Sequence, residues 1–140
     1  MHRKTLVALA GALVIALAAS GAALAAGTGP AVSVQVKSQT KTLLRASTVH
    51  GEKGSITKGG TPHGTCPGNS AAGALDAATH GKWTGKYYAS VPGIFVTSIL
   101  GVKPSGSHFW ELFVNGKSSS TGICDIKLRA GERLLFKIVK

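Results

Sequence analysis

The chain has 140 residues, enough for one domain once a processing segment is set aside and too few for a second independent core. Its 16 Lys and Arg stand against 5 Asp and Glu, a formal net charge of +11. The basic residues are scattered without a run of like charge, and no nucleic-acid-reading motif is present. The excess therefore points to a soluble, strongly basic surface or to weak attraction toward anionic cell-wall polymers or lipid headgroups, and away from nucleic acid.

Arg3 and Lys4 give a short positive start, Leu6 to Leu17 is apolar, and Ala23-Leu24-Ala25 offers the small-residue pattern that a signal peptidase reads. The spacing predicts a cleavable signal peptide over 1–25, a short linker over 26–30 and one domain over 31–140. The product is expected to be secreted or held at the cell envelope. The apolar run falls short of the roughly 20 residues a spanning helix needs, so no membrane span is expected in the mature form. No Cys follows that run, which excludes a lipid-anchored leader. Cys66 and Cys124 are the two cysteines, and an even pair in a small exported domain is expected to form a disulfide. His63 and Cys66 stand at a ligand-like spacing, but a tetrahedral site needs two more ligands from distant places, so no metal is expected.

Val32, Val34 and Val36 alternate with Ser33, Gln35 and Lys37, the pattern of a strand buried on one face. Leu43–Val49 reads as its partner across the polar turn Ser38–Lys41. From Gly51 to Gly68 the composition turns to Gly, Thr, Lys, Pro and Ser and predicts a long loop. Asn69 or Ser70 can cap a helix running to about Thr79, with Ala71, Ala74, Leu75 and Ala78 on one face and Gly81 ending it. Lys82–Tyr88 interleaves aromatic residues with lysine and reads as a strand or an ordered crossover.

Ile94–Leu100 and Phe109–Val114 read as a central pair of strands separated by a turn at Lys103–Ser107. Alternation puts Trp110, Leu112 and Val114 toward a core and Phe109, Glu111 and Phe113 on the other face. Asn115-Gly116 closes the second strand. Ile123–Arg129 and Arg133–Val139 then predict a hairpin about Ala130-Gly131, with Cys124, Ile126, Leu128, Leu134, Phe136 and Ile138 inward. The order predicts an α+β fold, a β-grasp-like mixed sheet with one short helix packed across it.

The run Gly93-Ile-Phe-Val-Thr-Ser-Ile99, then Phe109-Trp110-Glu-Leu-Phe-Val-Asn115-Gly116, Gly122-Ile-Cys-Asp125 and Arg129-Ala-Gly131-Glu132-Arg-Leu-Leu-Phe136, resembles the transcobalamin C-terminal-like domain. This is a β-grasp-like family of unknown function in exported bacterial proteins, and the resemblance covers roughly residues 31–140. In cobalamin carriers such a domain covers one face of a corrinoid whose other face lies on a helical barrel. The resemblance therefore implies a binding module for a small apolar, corrinoid- or haem-like ligand.

Catalysis needs groups within reach of one another, and the sequence offers none. Glu111 lacks the second carboxylate of a glycosidase pair, no serine sits in a nucleophile elbow, and no glycine loop cradles phosphate. The expectation is a non-enzymatic monomer whose partner is an unknown small ligand or an envelope component. Candidate ligand-contacting residues are Phe109, Trp110, Glu111 and Phe113, with Trp83 and Tyr87. Trp83 is weighed against a role as cover for the core and Trp110 against a place inside it. An alternative is a basic envelope-associated protein using Lys82, Lys86, Lys103 and Lys117 against anionic wall polymers. A third reading, a hydrolase using Glu111, ranks last.

Overall fold

The computed structural model describes residues 28–60, 62–90 and 93–140, so the expected signal peptide over 1–25 lies outside the described residues. Strand β1 (Ala31–Lys37) and strand β2 (Thr42–His50) form the expected antiparallel pair. Their turn is closed by the Ser38 N–H donating to the Lys41 carbonyl at 2.8 Å and by the Lys41 N–H donating to Ser38 Oγ at 3.0 Å. Register shifts near Val36 put Leu43 and Leu44 both half-buried, which is why β2 alternates less cleanly than β1.

The predicted loop between Gly51 and Gly68 instead contains a small hairpin, β3 (Ser55–Lys58) and β4 (Gly64–Pro67). Four-residue strands with single buried anchors, Ile56 opposite Cys66, leave too little periodicity to stand out against their glycines and threonines. Helix α1 (Ala71–Thr79) follows, and of the two candidate caps it uses Ser70, whose Oγ accepts the Gly73 N–H at 3.4 Å. His80 ends it in the left-handed region.

Strands β5 (Trp83–Tyr87) and β6 (Ile94–Ile99) pair with each other as a separate ribbon. The expected pairing of Ile94–Leu100 with the Phe109 strand is therefore corrected: β7 (Phe109–Val114) lies in the main sheet, flanked by β8 (Lys117–Ser118) and β9 (Arg133–Val139). Asn115 (φ 50°) and Gly116 (φ 84°) make the tight β7–β8 turn, where two consecutive positive φ values favour Asn-Gly. The main sheet runs β2-β1-β9-β7-β8, with β9 parallel to β1 and antiparallel to β7. This is a mixed sheet served by one short helix, an α+β arrangement.

The predicted hairpin of Ile123–Arg129 with β9 does not form. Its period-two pattern is real in sequence, but Ile123 and Leu128 are both buried, and the backbone of this segment serves the helix instead. The Ala71 N–H donates to the Ile126 carbonyl at 2.9 Å and the Ala72 N–H to the Ile123 carbonyl at 3.0 Å. Those two donors belong to the first turn of α1 and have no partner within the helix. A second strand beside β9 would have left them unpaired.

The core joins Val32, Val34 and Val36 of β1 to Leu134, Phe136 and Ile138 of β9 and to Trp110 and Leu112 of β7. Ala71, Ala72, Ala74 and Leu75 bring the helix onto it, small side chains allowing close approach. Lys58 seals one flank: its Nζ donates to the carbonyls of Gly81 (2.9 Å) and Trp83 (3.1 Å) and lies 3.5 Å from Asp76, which accepts the Trp83 indole N–H at 2.7 Å.

Gly73 is required for packing and not for flexibility. A Cβ there would lie 1.8 Å from the carbonyl oxygen of Gly68, which also accepts the Glu52 N–H. Gly73→Ala is expected to lower stability by about 1–3 kcal/mol despite the better helix propensity of alanine. Urea unfolding checks this, and an unchanged or raised midpoint would contradict the packing account.

Candidate functional site

The six residues expected to contact a ligand fall into three separate places. Trp83 (2% exposed) and Trp110 (6%) are core residues, so the core readings of both tryptophans hold and neither presents a surface. Tyr87 is half-buried against the β3–β4 hairpin, where a side chain on Gly64 would meet its ring. Phe109, Glu111 and Phe113 share the outer face of the main sheet, opposite Val139, Lys137 and Leu135 of β9. Glu111 is engaged there as acceptor of the Ser118 hydroxyl and stands across from Lys137, a surface pairing with no second carboxylate beside it.

A concave surface with exposed aromatic lining lies elsewhere, at the tip of the β5–β6 ribbon. A cleft of about 390 Å³ is lined by Tyr88, Ser90, Gly93, Ile94, Phe95 and Asp125. Tyr88 (45% exposed) and Phe95 (49%) are two of the three large hydrophobic residues that the described chain leaves open to solvent, and both border this one cleft. A second hollow of about 250 Å³ shares Gly93, Ile94 and Asp125 and extends past Tyr87 to His63. Of the expected residues only Tyr87 reaches this region. The signal for Tyr88 and Phe95 was present in the sequence: alternation sends Trp83 and Tyr87 inward on β5 and therefore Lys86 and Tyr88 outward. The pairing of β5 with β6, which brings Phe95 opposite Lys86, was not visible there.

The wall opposite the ribbon is the Gly122–Asp125 turn, held by the disulfide between Cys66 and Cys124, whose Cα atoms are 4.7 Å apart. The bridge confirms the expected pairing and takes Cys66 out of any metal set with His63. Among the described residues no group of three or more His, Cys, Asp or Glu converges as a metal site would require. Nor, among them, is any helix long and apolar enough to cross a membrane. Lys82 and Lys86 share the outer side of the ribbon, while Lys117 lies on β8 at the edge of the main sheet, so the four lysines do not form one patch.

Residues 68–140 match the model of a domain of unknown function, DUF4430. The chain belongs to the DUF4430 family. No curated protein matches it. Among solved structures, the DUF4430 chain is similar to haptocorrin in complex with Cbi, with a TM-score of 0.55 and 19% identity over 79% of this chain. It spans 25% of that haptocorrin chain. It is also similar to a Ruminococcus gnavus protein named as a "putative metal binding protein", with a TM-score of 0.54 and 11% identity over 79% of this chain and 97% of the other. The DUF4430 match and these neighbours agree with the transcobalamin-like resemblance, and at such identities the structures speak for the fold alone.

Because the bridge closes a loop with a sequence separation of 58, chain-entropy arithmetic gives it about 4 kcal/mol. Replacing both cysteines (Cys66→Ser with Cys124→Ser) is expected to cost about 2–4 kcal/mol in urea unfolding. Stability equal to that of the bridged chain would show that the turn holds itself in place.

Proposed function

We propose that this DUF4430 chain is a non-enzymatic, exported binding module that takes a small, largely apolar ligand of the corrinoid or haem-like class at the tip of the β5–β6 ribbon. The observation that carries the reading is the gathering of Tyr88 and Phe95 at one cleft, because exposed aromatic rings around a concavity are the usual lining of small-molecule sites. Asp125 supplies one polar group at the rim that can fix a ligand's orientation. The cleft is open on one side, which suits a flat ligand covered on a single face.

Export is supported by the leader-like start of the sequence and by the disulfide, which persists in oxidising compartments. On this reading the functional unit is a monomeric domain over 31–140 behind a leader over 1–25. The fold likeness to haptocorrin adds support for a binding role.

The test is an absorbance or calorimetric titration of the purified protein with cobinamide and with haem. A saturable isotherm weakened about tenfold by Tyr88→Ala or Phe95→Ala supports the site, an expectation in line with the cost of truncating an aromatic anchor. A flat isotherm with both probes refutes the ligand class. Binding left unchanged by both substitutions, but lost on Phe109→Ala, would move the site to the outer sheet face.

A further inference from the structure

The outer side of the β5–β6 ribbon extends beyond the cleft, with which it shares Tyr88 and Phe95. Strand alternation within β5 sends Trp83, Gly85 and Tyr87 inward and Thr84 and Lys86 outward, with exposed Tyr88 beside Lys86 and exposed Lys82 at the turn just before the strand. Residues two apart on one face of a strand are about 6.6 Å apart, the spacing that separates Thr84 from Lys86. On β6 Thr97 shares the side of Phe95 by alternation, and an extra residue between the partners of Thr84 and Gly85 brings Ser98 opposite Thr84. The Thr84 Oγ1 then lies 2.8 Å from Thr97 Oγ1 and 2.6 Å from Ser98 Oγ, a string of three hydroxyls between the two lysines. Below them opens a hollow of about 500 Å³ lined by Lys82, Thr84, Ser98, Leu100 and Gly101.

The charge on this face is unbalanced. Asp76 is taken up by Lys58 and by the Trp83 indole on the inward side, Glu52 sits in the loop before β3, and Glu111 and Glu132 belong to the main sheet and its approach. Only Asp125 comes near, at the far end beside the cleft. The Lys86 ammonium has no carboxylate within ion-pair distance among the described residues and rests 5.1 Å from the centre of the Tyr88 ring. Lys58 shows the contrast: its charge is met by two carbonyls and an aspartate inside the molecule.

We infer that this ribbon is a docking surface for a linear acidic polysaccharide. Lys82 and Lys86 meet the anionic groups. The Thr84 and Thr97 hydroxyls, each able both to donate and to accept, exchange hydrogen bonds with sugar hydroxyls, and the buried Ser98 hydroxyl backs Thr84. Phe95, half exposed opposite Lys86, offers an apolar ring to the C–H face of a pyranose. A single-stranded nucleic acid also asks for aromatic residues beside lysines, but the disulfide favours an oxidising compartment, where a polysaccharide is the commoner polyanion. A lipid surface would ask for a continuous apolar face, and here hydroxyls stand between the charges. The inference does not rest on the cleft reading, and its two deciding lysines lie outside the residues that line that cleft.

The test measures affinity of the purified protein for polygalacturonate at several salt concentrations, beside neutral dextran, a single-stranded oligonucleotide and phosphatidylglycerol vesicles. Saturable binding to polygalacturonate with none to dextran is expected. The double variant Lys82→Gln/Lys86→Gln should raise Kd about tenfold or more and lower the salt slope by about 2, one unit for each lost lysine contact. Lys53→Gln/Lys117→Gln removes the same charge from exposed positions off the ribbon and should change Kd less than about twofold. Phe95→Ala should weaken polygalacturonate binding about threefold or more, in line with the loss of a stacking contact. Equal losses from the two lysine pairs would reduce the effect to net charge and overturn the proposal. So would tighter binding to the oligonucleotide or the vesicles, or no binding to polygalacturonate.

Discussion

The first turn of the helix governs much of this molecule. Four N–H groups at a helix start have no partner within the helix, and near a core each must be met or its desolvation costs free energy. Here the Ser70 side chain meets the Gly73 N–H, and the Ile123–Ile126 segment meets those of Ala71 and Ala72. That segment is irregular because its carbonyls are committed to α1. The disulfide lies at the same place, joining Cys124 of the segment to Cys66 just ahead of the helix. Capping, cross-link and close approach at Gly73 thus act on one small region and fix how the helix meets the rest of the chain.

The candidate surfaces follow from that arrangement. With Gly122–Asp125 held against β4, the ribbon tip has a fixed wall to face, and the space between them is the cleft beside Tyr88 and Phe95. The ribbon stands outside the main sheet, so both of its sides do work: Trp83 and Ile94 on the inner side close the core, while the outer side is left to solvent. A strand inside a sheet covered on both faces would have had no such outer row of lysine, threonine and tyrosine.

The comparisons place these features on a known kind of scaffold without transferring a ligand. A domain similar to one quarter of haptocorrin shares its architecture, while the side chains that could hold a ligand are this chain's own. The strongly basic composition is likewise only a bulk statement until the structure sorts the lysines. Lys58 is spent internally, Lys117 belongs to the edge of the main sheet, and Lys82 and Lys86 line one ribbon.

Sequence alone determined the elements whose cause is local. The valine alternation of β1, the Ser70 cap and alanine stripe of α1, the inward face of β7, the Asn115-Gly116 turn and the Leu134–Ile138 pattern of β9 all rest on interactions within a few residues. The pairing of the two cysteines was also legible, because two sulfurs in one domain have one intramolecular partner each. Tertiary structure decided what depends on partners distant in the chain. Whether the alternating Ile123–Arg129 run becomes a strand depends on which backbone groups come to lie beside it, and a helix start outcompetes a sister strand. Which strand accompanies Ile94–Ile99 is a matter of pairing, and that choice moved the candidate site from the Phe109 face to Tyr88 and Phe95. Periodicity states which side of an element is apolar, but only the packed chain states what that side, and the opposite one, will meet.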